Sequence, residues 1–214
     1  TRPLLRNLDH LDLLEIDRDL VAYWNQQNLP GLTVIEGDAL QFDFLEWAQN
    51  QADKKGFCKV VGNLPYNISS PLLFHLVAAA KLIDEQVFML QAEVVERIVA
   101  KAGSSDFSRL SVMLQARYDM ELVLEVPPEA FDPKPKVNSA VVRMIPRQDF
   151  NLSDAEWRSL EKVVAAAFSQ RRKMLRTNLQ AFSERLKLTE NELKARAQDI
   201  SVERYIEWAK VLAS

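Results

Sequence analysis

The sharpest chemical signature in this chain is Asn63-Leu64-Pro65-Tyr66, four residues that directly follow an apolar, β-branched run. The Asn63 side-chain oxygen and the Leu64 carbonyl can each accept a hydrogen bond, while Pro65 has no N–H and so adds no donor. An acceptor-only pair of this kind suits an exocyclic amine such as that of adenine, whose lone pair is delocalised into the ring. Accepting both amine protons favours the form with the pair on nitrogen. Tyr66 adds an aromatic face on which an extruded base can stack. The plainer alternative is a proline-containing turn with a buried tyrosine.

Two acids stand in comparable places. Glu15 closes the run Leu13-Leu14-Glu15, just before Ile16, and Asp38 follows the next run in Glu36-Gly37-Asp38-Ala39. In an open α/β sheet, ligands bind beyond the carboxyl ends of the strands, and an acid there can accept both hydroxyls of a ribose. Either acid alone could equally cap the following helix. An acid, an Asp and then Asn-Leu-Pro-Tyr after three successive strands form a spaced set that capping does not require.

The elements that must hold these residues are legible as alternating patterns. Short β-branched runs at Leu11 to Ile16, Leu32 to Glu36, Lys59 to Gly62, Gln86 to Leu90, Glu121 to Val126 and Ala140 to Ile145 read as strands. Helical periodicity covers Arg18 to Gln27, Leu40 to Asn50, Pro71 to Lys81, Glu93 to Lys101 and Ser108 to Tyr118, with Ser70 expected to cap the third. The alternation predicts an α/β fold with a mostly parallel, helix-covered sheet, its last two strands closing as an antiparallel hairpin. After Pro146 every pattern is helical: Asp154 to Phe168, Gln170 to Phe182, Glu190 to Ala197 and Val202 to Leu212, with Ser153, Ser169, Thr189 and Ser201 as N-caps. The expected organisation is a domain over 1–150 and a small all-α domain over 151–214. There is no internal repeat or low-complexity segment.

Composition narrows the classes of function. The single Cys58 excludes an internal disulfide, and with only two histidines the chain cannot furnish an ordinary structural zinc site, so no metal is expected. His10, His75 and Cys58 read as structural residues. The longest apolar run, near Pro71 to Ala80, is too short to span a bilayer, which makes the cytoplasm the expected location. The overall charge of −3 hides an asymmetry: residues 1–150 hold 15 Lys+Arg against 21 Asp+Glu, and 151–214 hold 12 against 9. Arg171, Arg172, Lys173 and Arg176 fall within six residues on an expected helix, a cationic ridge suited to phosphates. Trp157 and Trp208 sit at core spacing.

Taken together, the strings Leu14-Glu15-Ile16-Asp17-Arg18-Asp19-Leu20, Gly37-Asp38-Ala39, Gly62-Asn63-Leu64-Pro65-Tyr66-Asn67-Ile68-Ser69, Pro127 to Val142 and Phe168 to Leu179 resemble the bacterial small-subunit ribosomal RNA adenine N6,N6-dimethyltransferases. The resemblance runs through nearly the whole chain. It implies a Rossmann-like class I methyltransferase sheet with a C-terminal helical RNA-binding domain. S-adenosylmethionine would be the cofactor, and two adjacent adenosines in a hairpin near the 3′ end of 16S ribosomal RNA the target during ribosome biogenesis. Glu15 and Ile16 would hold the cofactor ribose, Asp38 and Ala39 its adenine, and Asn63 to Tyr66 the target adenine and the methionine end. Phe131 would be a second wall for the base, with Lys134, Lys136 and the Arg171 to Arg176 cluster on RNA. Partners would be ribosomal RNA and the assembling small subunit, with the enzyme itself monomeric.

The family's glycine-rich loop and the basic segment before it are not in this sequence, and Thr1 to Leu5 resembles the helix just after that loop. Two other classes compete: a non-catalytic ribosome-assembly factor, which would not bind the cofactor, and a DNA adenine methyltransferase, which commonly has an acid in place of Asn63.

Overall fold

A computed structural model describes residues 1–52, 57–149 and 151–214; Gly56 and Phe150, the expected last residue of the first domain, lie outside the described residues. The chain opens with a single turn, α1 (Arg2–Leu5), and then β1 (Leu11–Glu15), α2 (Arg18–Gln26) and β2 (Leu32–Glu36) form a parallel β-α-β unit. Helix α2 starts where Asp17 can accept from the backbone N–H groups of Asp19 and Leu20. The next helix, α3 (Phe44–Ala52), begins four residues later than its periodicity predicts. Residues 38–42 are instead wound into a turn, in which the Asp38 carbonyl accepts from Gln41 and Phe42 and its side chain from Leu40 at 2.9 Å.

Strand β3 (Lys59–Asn63) leads through the Asn-Leu-Pro-Tyr loop to α4 (Ser69–Leu76), then a 3-10 segment, and β4 (Glu85–Gln91), which pairs parallel to β3. Ser70 does not cap α4. The helix begins two residues earlier, because the loop closes on itself through Ile68 N–H to the Pro65 carbonyl, and it is Ser69 whose hydroxyl is used, donating to the Tyr66 carbonyl. Helices α5 (Ala92–Val99) and α6 (Arg109–Gln115) precede β5 (Tyr118–Val126) and β6 (Ser139–Pro146). These two strands form the expected antiparallel hairpin, bulged between Leu122 and Leu124, and β6 also runs antiparallel to β4.

The sheet comes in two parts, β1-β2 and β3-β4-β6-β5. Leu11 and Asp12 of β1 and Lys59 and Val61 of β3 line one groove of about 630 Å³. On its wall Asp12 accepts from Trp47 Nε1 at 2.8 Å and Gln51 at 3.1 Å. The amino-terminal halves of β1 and β3 therefore flank the same groove. At the start of β4, Glu85 bridges Lys59 of β3 and Arg143 of β6, and Arg143 also reaches Glu121 of β5 at 3.1 Å. One carboxylate thus ties neighbouring strands across the parallel and antiparallel parts.

The tail is helical, with α7 (Asp154–Ala167), α8 (Leu175–Asn178), α9 (Ser183–Leu186), α10 (Glu190–Lys194) and α11 (Val202–Ala213). Ser153, Thr189 and Ser201 cap as expected. Ser169 does not, because the helix expected over Gln170 to Phe182 is broken into turns, with only 175–178 α-helical before a 3-10 turn. Leu175 and Leu179 are both fully buried, which explains the helical spacing. The backbone is diverted by Asn178, whose amide donates to the Ala167 and Gln170 carbonyls, and by Leu175 N–H, which bonds the Ala195 carbonyl. The cationic ridge along a helix is therefore absent: Arg171, Arg172 and Lys173 lie in a turn and Arg176 on α8.

Two apolar cores meet at α6. Leu110 and Leu114 bury into the core against the sheet, and Val112 and Met113 into the core of the tail, which includes Trp208 and Tyr205. Trp157 packs on both, with the Arg117 guanidinium 4.8 Å from its ring centre. His75 bonds the Phe42 carbonyl at 2.7 Å and His10 bonds Asp12 at 2.8 Å, both local structural contacts. Among the described residues no cluster of metal-ligand side chains occurs, and no helix is long and apolar enough to cross a membrane.

Candidate active site

Glu15 is the last residue of β1, and the chain turns sharply over its carboxylate. Oε1 accepts from Ile16 N–H at 2.9 Å and Asp17 N–H at 3.0 Å. That fixes the side chain in place and leaves Oε2 without a hydrogen-bond partner among the described residues, a fit to a ligand hydroxyl. The neighbouring strand end is tied on by Gly37 N–H to the Glu15 carbonyl at 2.9 Å, which brings the Asp38 turn beside Glu15. Asp38 is half-buried and spends Oδ1 on Leu40 N–H, so it both caps its turn and retains an oxygen; Ala39 packs toward the sheet core. Ile16 is 65% exposed, an apolar side chain held at the rim by the turn around Glu15.

Asn63 ends β3, in register with Met89 of β4. Its side chain is exposed and has no hydrogen-bond partner among the described residues. The residue after it is clamped: Leu64 N–H donates to the Met89 carbonyl at 3.1 Å, and the Leu64 side chain is buried to 8% exposure. Gly62 makes this possible, because a Cβ there would stand 2.9 Å from Leu64 Cδ2 and 3.5 Å from the Phe88 ring. Leu64 folds back over the glycine as an anchor. Tyr66 is 36% exposed, yet its hydroxyl lies 2.9 Å from that of Ser139, a contact that local sequence patterns do not report.

The other expected base wall, Phe131, is half-buried and ends a 3-10 turn, Pro128–Ala130, in the loop joining β5 to β6. Lys134 in that loop pairs with Glu129, while Lys136 is exposed. In the tail Arg171 donates to the Ser105 carbonyl, which ties the basic turn to the segment before α6; Arg172, Lys173 and Arg176 are exposed. The structure thus brings Glu15 and Asp38 together through the Gly37 N–H to Glu15 carbonyl bond, and sets Asn63 to Tyr66 at the carboxyl end of β3 in the other part of the sheet.

Parallel strands that carry an acid, an Asp and an Asn-Leu-Pro-Tyr turn at their carboxyl ends, closed by an antiparallel hairpin, define a Rossmann-like class I methyltransferase. The likeness extends to solved structures of a dimethyladenosine transferase from Plasmodium falciparum, with TM-score 0.77 and 22% identity over 96% of this chain and 82% of that one. A 23S rRNA methyltransferase, ErmE, gives TM-score 0.67 and 21% identity over 100% of this chain and 86% of that one.

The chain belongs to the ribosomal RNA adenine dimethylase family, whose model matches residues 1–214. It is 54% identical over 209 residues to a Bordetella petrii protein named ribosomal RNA small subunit methyltransferase A, spanning 96% of this chain and 77% of that one. A Dechloromonas aromatica protein of the same name is 48% identical over 216 residues, 100% of this chain and 82% of that one. The chain is accordingly an S-adenosylmethionine-dependent enzyme of RNA adenine methylation, and the non-catalytic assembly factor and the DNA enzyme are set aside.

Proposed function

We propose that Asn63, Leu64, Pro65 and Tyr66 form the pocket in which the N6 amine of an extruded adenine is presented for methylation. The Asn63 oxygen accepts one amine proton and the Leu64 carbonyl the other, Pro65 keeps competing donors away, and Tyr66 stacks on the base. Glu15 and Ile16 hold the cofactor ribose, Asp38 and Ala39 its adenine, and Asn63 also faces the methionine end. When bound, S-adenosylmethionine supplies an electrophilic sulfonium methyl group. The work of the chain is alignment, with the nitrogen held in line with that carbon. No strong base is required of it, because an amine nitrogen that has gained a methyl group is acidic. The observation that carries this reading is Asn63 itself, exposed at a strand's carboxyl end with its amide unspent inside the protein.

The substrate is small-subunit ribosomal RNA, modified at two adjacent adenosines of a hairpin near the 3′ end while the subunit assembles in the cytoplasm, by a monomeric enzyme. Phe131 closes on the base from the second side, and Lys134 and Lys136 hold the strand near the pocket. Arg172, Lys173 and Arg176, with Arg171 partly occupied by Ser105, contact phosphates from the domain over 151–214. In the full-length enzyme, Asn63→Ala is expected to abolish transfer of labelled methyl to unmodified small ribosomal subunits while thermal unfolding is unchanged. Undiminished transfer would remove Asn63 from the mechanism.

A further inference from the structure

Tyr66 is held at both ends. Its carbonyl accepts from the Ser69 hydroxyl at 3.1 Å, and its phenol shares a hydrogen bond of 2.9 Å with the hydroxyl of Ser139. Ser139 is a stiff anchor. It is the first residue of β6, paired with Gln91 of β4 on one side and Val126 of β5 on the other, and only 1% of its surface is exposed. The residue before it, Asn138, is fixed through its carbonyl to Ala92 N–H at 2.9 Å. The Tyr66 ring therefore keeps an open face while its tip is tied to the sheet.

This tie has a specific consequence for an aromatic wall. A tyrosine ring turns about a broad χ2 minimum, and in an exposed loop neither its plane nor its tip would be fixed by packing alone. One hydrogen bond at the phenol sets where the tip sits. Ser139 is also where the loop bearing Phe131 rejoins the sheet, so the same residue joins the Asn-Leu-Pro-Tyr loop to that loop's end. Misplacing a reacting group by about 1 Å can cost on the order of a hundredfold in rate, and a pinned ring avoids part of that loss.

We propose that Ser139 is a positioning residue for methyl transfer, fixing the Tyr66 ring through its hydroxyl so that the acceptor base is stacked in one plane. The proposal rests on the reading of Tyr66 as the base-stacking wall. It makes the Ser139 hydroxyl, rather than the strand around it, the element that acts.

The test is a double-mutant cycle in the full-length enzyme, with unmodified small ribosomal subunits as acceptor. Ser139→Ala and Tyr66→Phe each delete the same bond, so each is expected to lower kcat about three- to tenfold, the range of one net hydrogen bond. The cofactor KM should stay within about twofold, because neither hydroxyl is assigned to the cofactor. The double variant should be no slower than the worse single variant. Ser139→Thr, which keeps the hydroxyl, should recover most of the rate. Multiplying losses in the double variant, or a normal kcat for Tyr66→Phe, would overturn the proposal. Should Ser139→Ala fail to fold, the Tyr66→Phe rate and the threonine variant decide alone. Tyr66→Ala tests the underlying reading separately: full activity there means that Tyr66 is not the wall, whereas its inactivity beside an unaffected Tyr66→Phe rejects only the role of Ser139.

Discussion

Gly62→Ala offers a measured disturbance of the pocket from behind. The added methyl would sit 2.9 Å from Leu64 Cδ2, close to an ångström inside ordinary carbon contact, and 3.5 and 3.6 Å from two Phe88 ring atoms. Leu64 has little room to yield, being 8% exposed with its N–H already committed to Met89. Overpacking of this kind costs about 1–3 kcal/mol. Replacing a glycine stiffens the unfolded chain and returns about 0.4–1 kcal/mol, so a net loss of roughly 1–2 kcal/mol is expected. At about 2–4 °C per kcal/mol for a chain of this size, Tm should fall by roughly 2–8 °C.

The rate should fall further than the stability. If Leu64 shifts by even a few tenths of an ångström its carbonyl moves with it, and kcat is expected to drop at least about tenfold. Gly37→Ala is the control: its Cβ would come no nearer than 3.3 Å to Leu14 Cδ1, and a slight movement of that side chain accommodates it. Differential scanning calorimetry and single-turnover methyl transfer measure the two effects. A Gly62→Ala enzyme with full kcat and a lowered Tm would refute the link between Leu64 packing and the acceptor carbonyl.

Two further outcomes concern charge and reactivity. Lys59, and after it Arg143, hold the Glu85 carboxyl below its usual range. A carboxylate with a depressed folded-state pKa stabilises above its unfolded value of about 4.3, and that contribution is lost as pH falls through the folded-state value. Glu85→Gln should therefore lower stability by about 1 kcal/mol at pH 7, with a smaller loss as pH falls through the folded-state value; urea midpoints whose difference stays constant from neutral to strongly acidic pH contradict this. Burial first, and then Asp84 and Asp12, push the Cys58 thiol up to about 11. At pH 8 its thiolate should be about a hundredfold scarcer than for a thiol at the ordinary value of 9.0, so a thiol-reactive disulfide should label the native protein slowly and the urea-unfolded protein fast. Rapid native labelling would show the burial to be wrong.

All six strands are legible because β-branched runs such as Leu32–Glu36 and Lys59–Asn63 are bounded by polar turns. The same pattern places Glu15 and Asn63 at the ends of β1 and β3 and Asp38 just after β2, as the structure has them, and the proposal that they meet ligands builds on that placement. Sequence failed where a side chain captures distant backbone. The Leu175 and Leu179 spacing is helical, yet Asn178 takes the Ala167 and Gln170 carbonyls and breaks the helix that periodicity predicts. Ser70 looked like a cap and Ser69 holds the loop, a difference set by how Pro65 and Ile68 close the turn. The Tyr66–Ser139 contact spans 73 positions, and nothing local to either residue announces it.

Helix α6 gives one face to each core, with Leu110 and Leu114 toward the sheet and Val112 and Met113 toward the tail. A beam built into two rooms cannot be drawn from one without cracking the other. The tail is thus no pendant on a string: it is joined to the sheet through a helix whose residues are buried in both cores, so an overpacked or emptied position in either reaches the other.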